Sequence, residues 1–259
     1  MSVETAPVTV EREGATRIVT MRRPDRRNAL SLSMMRELET VLRGLGPDGT
    51  VRAIVLAGEG PAFSAGHDLR EMCGRARSDY VEIFDQCVAL MEAIEAVPQP
   101  VIAEVGAVAT AAGCQLVAAC DLAVASTQAR FATPGVRIGL FCSTPMVALS
   151  RAVGRKRALE MLLTGDPIDA ATALTWGLVN RVVPPEELRD ASLALAAKIG
   201  EASAAVVGLG KTAFYRQLEL DQASAYEYTK GVMVDNALLQ DAQEGMAAFI
   251  ERRPPRWQS

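Results

Sequence analysis

The chain has 259 residues, 49% of them hydrophobic, and its 31 acidic and 27 basic side chains leave a net charge of −4. That is enough apolar material for one large domain, or for a core with a smaller appendage, and the mixed charge argues against a nucleic-acid surface. One histidine, His67, removes most metal-site and Ser-His-Asp arrangements, and five cysteines with no C-x-x-C pair read as reduced thiols of a cytosolic protein, not as a disulfide framework.

The first residues carry no basic and then apolar leader, so no secretion signal is expected. Residues 8–11 and 17–21 are β-rich runs around Glu13-Gly14, the pattern of a hairpin. Ser33, Glu37 and the 3–4 spacing of Met34, Leu38 and Leu42 predict a capped helix ending at Gly44. A buried strand over 51–57 precedes a turn at 58–61. The polar stretch 70–79 has no apolar period and is expected to be a mobile loop. A helix over 80–96 follows, with Val81, Phe84, Val88, Met91 and Ile94 on one face, and it stops before Pro98. Strand 101–105, helix 111–119 and strand 122–125 then alternate, which implies a largely parallel α/β core. A short strand near Phe131 and helices over 144–152, 155–163 and 170–175 come next. From Pro184 onward the chain reads as almost wholly helical, over 186–201, 205–218 and 222–250, a tail suited to packing on the core or on another subunit. No stretch approaches the length of a membrane span.

The most informative run is 109–121, Ala-Thr-Ala-Ala-Gly-Cys-Gln-Leu-Val-Ala-Ala-Cys-Asp. Small residues at Ala111, Ala112 and Gly113 let a ligand carbonyl approach bare backbone where a helix begins. Free N–H groups and the positive end of the helix dipole favour negative charge there. At Gln115, one turn further in, proton transfer would need a carboxylate, and the residue is an amide.

Several pieces together resemble the crotonase (enoyl-CoA hydratase/isomerase) superfamily: Asn28-Ala29-Leu30, the run Ala-Phe-Ser-Ala-Gly-His-Asp-Leu over 62–69, Pro-Val-Ile-Ala over 100–103, Ala-Gly-Cys-Gln-Leu over 112–116, Cys-Asp-Leu-Ala-Val over 120–124, and Leu-Thr-Gly-Asp over 163–166 with Ala173 and Gly177-Leu178-Val179. They stand in the family's order and spacing from about residue 8 to Pro254. The resemblance implies an α/β spiral of ββα turns, with residues 1–200 as the acyl-CoA-binding core and 201–259 as a helical region for oligomer packing. It implies a CoA thioester as substrate, its carbonyl in an oxyanion hole formed by the backbone N–H groups of His67 and Ala112. Arg26, Arg27, Ser64, Ala65, Asp68 and Leu69 match positions bordering the CoA nucleotide or its pantetheine arm. A homotrimer or hexamer is implied, with no metal and no covalently bound cofactor, no nucleic acid and no membrane.

The chain departs from the family's hydratase pattern at both acids. Gln115 stands at the first and Gly135, in Pro-Gly-Val-Arg-Ile-Gly-Leu over 134–140, at the second; single-acid isomerases keep the second, and it too is missing. The loop Phe-Cys-Ser-Thr-Pro over 141–145 lacks the Pro-Gly-rich stretch typical of hydratases. The combination is similar to the enoyl-CoA hydratase domain-containing branch. Loss of a placed acid or base costs about 10²–10⁴ in rate, so hydration is expected to be weak or absent.

Other candidates have plainer structural roles beside the chemical ones. The His67 side chain reads as packed or solvated rather than as a general base. Cys142 reads as an inert buried thiol rather than a nucleophile, and Cys114 and Cys120 as core. Glu104 reads as a paired structural carboxylate before a displaced acid. Asp68 is expected to order its own loop through Asx-type bonds. Gln115 either orients a water or a substrate oxygen, or only satisfies buried polar groups. The Arg22, Arg23, Arg26 and Arg27 cluster either meets CoA phosphates or is a solvated face. The expectation is a cytoplasmic acyl-CoA enzyme of enoyl-CoA hydratase/isomerase type with an atypical site. The alternatives are a malonyl-type acyl-CoA decarboxylase using the oxyanion hole alone, and a non-catalytic acyl-CoA sensor or assembly subunit.

Overall fold

Three strand pairs, each followed by helix, build the molecule. The computed structural model describes residues 6–259. In chain order the elements are β1 (Val8–Glu13), β2 (Thr16–Met21), α1 (Leu32–Leu45), β3 (Ala53–Gly58), β4 (Ala62–Ser64), α2 (Leu69–Met72), α3 (Arg77–Ala96), β5 (Val101–Val105), β6 (Val108–Thr110), α4 (Ala112–Ala119), β7 (Leu122–Ser126), β8 (Arg130–Ala132), α5 (Pro145–Val153), α6 (Arg155–Thr164), β9 (Ile168–Asp169), α7 (Ala170–Trp176), β10 (Arg181–Val183), α8 (Leu188–Gly200), α9 (Ala204–Leu218), α10 (Gln222–Leu238) and α11 (Gln240–Glu251). Among these residues, β1-β2-β3-β5-β7-β10 form one sheet and β4-β6-β8-β9 a second. Pairing is parallel except for the β1–β2 hairpin and β8–β9. Each of β3–β4, β5–β6 and β7–β8 therefore steps from the large sheet to the small one, which is a crotonase-type α/β spiral.

The central strands β3 and β5 of the large sheet are buried on both faces, which is why they read as continuous apolar runs instead of alternating ones. On β5, Val101, Ala103 and Val105 join the main core, whereas Ile102 faces a smaller cluster with Leu188 and Ala196 of α8. A buried ion pair ties the tail to this core. Lys211 of α9 donates to the Ile94 and Gln99 carbonyls and to Asp121 Oδ2, at 2.7, 3.0 and 2.6 Å; Asp121 also accepts from Val101 N–H and Tyr215 OH.

Four expectations are corrected. Ser31, not Ser33, caps α1, its hydroxyl accepting from Met34 N–H, and the helix runs to Leu45. Residues 70–79 are not a loop throughout: Asp68 caps α2, Tyr80 OH is bonded to the Met72 carbonyl at 2.6 Å, and α3 begins at Arg77. On α3 the buried residues include Ile83, Cys87, Leu90, Met91 and Ile94, so Met91 and Ile94 are buried as expected while Val81 and Val88 are exposed. The apolar residues of this helix populate two faces, so spacing alone selects only part of the buried one. The helix expected over 222–250 breaks at Leu239, which takes an extended conformation between α10 and α11.

Candidate active site

An arch of two backbone segments and the start of α4 forms the centre of the site. Asn28, in the left-handed region at φ 50°, is fully buried; its Oδ1 accepts from Arg23 N–H and its Nδ2 donates to the Glu59 and Ala62 carbonyls. This knot holds the 62–68 segment: Ala65 N–H donates to the Arg27 carbonyl, Leu30 N–H to the Gly66 carbonyl, and Thr110 Oγ1 to the Ala65 carbonyl. Asn28 was not singled out as an organiser in the sequence. Its signal is general: asparagine tolerates the left-handed region and can bond backbone on both sides.

Helix α4 starts from a strained residue. Ala111 has φ 51° and ψ −120°, its N–H donates to the Ala132 carbonyl and its own carbonyl accepts from Gln115 N–H. Such a conformation costs about 1–3 kcal/mol and persists only where surrounding bonds hold it. The first N–H groups of a helix have no partner within it. Among the described residues, neither His67 N–H nor Ala112 N–H is bonded to an acceptor. Gly66, the residue before His67, packs on the start of α4: a Cβ added there would lie 3.1 Å from the Ala112 nitrogen. At Gly113 an added Cβ would overlap the Ser64 carbonyl, so α4 and the end of β4 touch backbone to backbone.

Beside these donors lies a cavity of about 770 Å³, lined by Ala65, His67, Leu69, Ala112, Gly135 and Cys142 of the residues expected at the site. Met72, Phe84, Ile138, Leu140 and Phe141 supply most of its apolar wall, and the expected loop at 70–79 concealed the first of them. No carboxylate belongs to the wall. Its charged member, Arg137, is engaged with Asp166 and with the Thr164 carbonyl.

The remaining candidates lie elsewhere. Glu104 is on the α8 side of β5, paired with Arg189 at 2.9 Å, and does not reach the cavity; burial pushes its carboxyl up while Arg189 opposes that shift. Gln115 is buried, accepts from Cys87 Sγ at 3.8 Å and is not part of the cavity wall. Ser64 is fully buried, donating to the Asn28 carbonyl and accepting from Gly66 N–H, so its hydroxyl braces the arch and is closed to a ligand. Asp68 accepts from Arg70 N–H and from Arg26 at 3.4 Å, the local ordering expected of it. Arg27 turns the chain at φ 51°, its carbonyl held by Ala65.

The position of the second acid is closed sterically as well as chemically. A Cβ at Gly135 would meet the Leu140 carbonyl at 2.5 Å and Cys142 Sγ at 2.8 Å. Burial pushes the Cys142 thiol up, and the thiols of Cys87 and Cys114 to about 12, so none is a ready thiolate. Burial likewise lowers His67 from the ordinary histidine value, against the Leu30 carbonyl and the Glu71 carboxylate, and so favours the neutral imidazole. Neither ring nitrogen makes a hydrogen bond of ordinary geometry, although the Leu30 carbonyl favours the protonated ring, and the ring stands edge-on to Phe84 at 5.5 Å.

The family model described as enoyl-CoA hydratase/isomerase matches residues 11–259. A Xenopus laevis protein named enoyl-CoA hydratase domain-containing protein 3, mitochondrial, is 50% identical over 253 residues, covering 97% of this chain and 86% of that protein. The Homo sapiens protein of the same name is 48% identical, with 98% and 84% covered. The crystal structure of an enoyl-CoA hydratase from Mycobacterium smegmatis superposes with a TM-score of 0.95 at 48% identity, covering 98% of this chain and 100% of that one. The cytoplasmic expectation is corrected here: both named relatives are mitochondrial proteins, and reduced cysteines do not distinguish one reducing compartment from another.

Proposed function

Because the chain belongs to the enoyl-CoA hydratase/isomerase family, we propose that it binds an acyl-CoA thioester in this cavity, with the thioester carbonyl on the backbone N–H groups of His67 and Ala112. The observation that carries this reading is the pair of unbonded N–H groups beside a mainly apolar wall. A thioester enolate places its charge on oxygen, and a preorganised donor there is worth about 2.7–4 kcal/mol. Ala65 and Leu69 border the pantetheine arm, and Arg26 and Arg27 stand toward the nucleotide. Ser64 and Asp68 support that loop from inside. Gln115, Glu104 and Gly135 supply no acid or base, so hydration of a double bond is not the reaction. Helices over 201–259 carry the trimer or hexamer contacts, a role that fits the exposure of Leu238, Phe249 and Ile250, at 76, 85 and 79%.

One observation favours a second reading. A wall without carboxylates suits loss of CO2 from a malonyl-type thioester, because desolvation disfavours the charged reactant and the departing CO2 leaves the enolate directly on the two donors. Binding with no turnover of any acyl group would instead identify a sensor or assembly subunit.

Calorimetric titration with butyryl-CoA and with free CoA tests the binding reading. Butyryl-CoA is expected to saturate the protein with a Kd between about 1 μM and 1 mM, the range of ordinary enzyme substrates, and more tightly than CoA. Equal affinity for both, or no binding of either, would exclude the thioester site.

A further inference from the structure

We propose that the His67 imidazole is the group that takes and returns the α-proton of the bound acyl-CoA, so that one residue supplies both a backbone donor to the carbonyl and a side-chain base to the adjacent carbon. This rests on the thioester-binding reading above. The geometry leaves few alternatives. Glu104 is on the far side of β5, Gln115 has no titratable proton, and Gly135 has no side chain and no room for one. Arg137 is held by Asp166 and Thr164. Ser143 and Thr144 are hydroxyls with no base bonded to them among the described residues. Cys142 is held as a thiol.

His67 differs from all of these. Both of its ring nitrogens are buried and make no hydrogen bond of ordinary geometry, although buried polar atoms are normally paired and the Leu30 carbonyl favours a ring proton, and the residue lines the cavity beside Ala112. Its neutral ring has a free lone pair, and the nearby Glu71 carboxylate is already bonded to Leu32 N–H at 2.8 Å. The nitrogens lie out of contact with solvent, so rotation of the ring about Cα–Cβ and Cβ–Cγ is the movement that presents one to the α-carbon. In the step itself the α C–H bond breaks, a ring N–H bond forms, and the electron pair passes into the enolate, whose oxygen rests on the His67 and Ala112 N–H groups. Return of a proton from the imidazolium to carbon restores the thioester and the neutral ring.

Any substitution of His67 other than proline keeps the backbone donor, so the two roles separate cleanly. The experiment follows exchange of the α-hydrogens of butyryl-CoA in deuterium oxide by NMR, with calorimetric affinity measured on the same proteins. Wild type is expected to exchange them. His67→Gln and His67→Phe are expected to bind butyryl-CoA within about threefold of wild type and to exchange at least 10²-fold more slowly, the usual loss for an acid–base group. His67→Gln decides the matter if the larger phenylalanine is not accommodated. Undiminished exchange in either folded His67 variant overturns the assignment. Wild-type binding without exchange above buffer also overturns it and leaves the thioester site standing. Absence of binding by wild type overturns both.

Discussion

Replacing Gly66 with alanine is expected to weaken butyryl-CoA binding at least 10-fold, the equivalent of about 1.4 kcal/mol, and to lower stability by about 2–4 kcal/mol. Two costs combine. Gly66 has φ +87°, where a side chain is strained. An added Cβ would also sit 2.8 Å from Ala111 Cβ, 2.9 Å from the Thr110 carbonyl and 3.1 Å from the Ala112 nitrogen. These neighbours cannot retreat independently, because Leu30 N–H holds the Gly66 carbonyl, Thr110 Oγ1 holds the Ala65 carbonyl, and Ala132 holds Ala111 N–H. Relief comes only by moving the His67 and Ala112 donors apart, which degrades their shared focus on one oxygen. Gly74→Ala is the matched control: Gly74 also has positive φ, +67°, but nothing lies within 4 Å of its added Cβ. It is expected to cost about 1–2 kcal/mol of stability and to leave the affinity unchanged. Urea denaturation and calorimetry on the two variants separate backbone strain from closure of the site. Equal affinities in the two variants would show that the Gly66–Ala112 approach is unimportant for the ligand.

Lys211→Met is expected to produce the larger loss of stability, about 3–5 kcal/mol, because it strands a half-buried carboxylate. The Lys211 and Asp121 side chains are 6 and 14% exposed, and the ammonium also satisfies two main-chain carbonyls from the end of α3 and the turn after it. Asp121 would keep Val101 N–H and Tyr215 OH but lose its counter-charge. Methionine fills much of the lysine volume, so the effect reports charge and hydrogen bonding more than packing. Lys198→Met removes an exposed i,i+3 pair to Glu201 and is expected to change stability by less than about 1 kcal/mol. Chemical denaturation of the two variants checks the contrast. Comparable small losses would mean that α9 is held to the core by apolar packing alone.

The ordered motifs carried the fold, because each marks a position where backbone approaches backbone: the arch around Ala65-Gly66-His67, the small residues that open α4, and Gly113 against Ser64. The expected donors and Gly135 also proved to belong to one cavity. What the chain did not disclose was set by partners distant in sequence. Gln115 lies against Cys87 of α3, and Glu104 lies against Arg189 of α8; neither partner is implied by the residues around it. Ser64 matches a CoA-bordering position yet is closed off by Asn28 and Gly66, a consequence of the left-handed turn at Asn28. The 70–79 stretch hid a wall of the cavity because α2 is a four-residue helix that depends on the Asp68 cap and the Tyr80–Met72 bond, not on an amphipathic period. The obstruction at Gly135 comes from the Leu140 carbonyl, and main-chain placement of that kind leaves no trace in residue type.

The central claim is a thioester site without the means to add water. The most direct test is hydration of crotonyl-CoA by the wild-type protein, followed by the loss of absorbance of the conjugated thioester, on protein shown to bind butyryl-CoA. The account predicts turnover more than 10²-fold below an ordinary kcat of about 10 s⁻¹. Hydration within 10²-fold of that value would contradict it, and would require a water-activating carboxylate, which the described cavity wall does not contain.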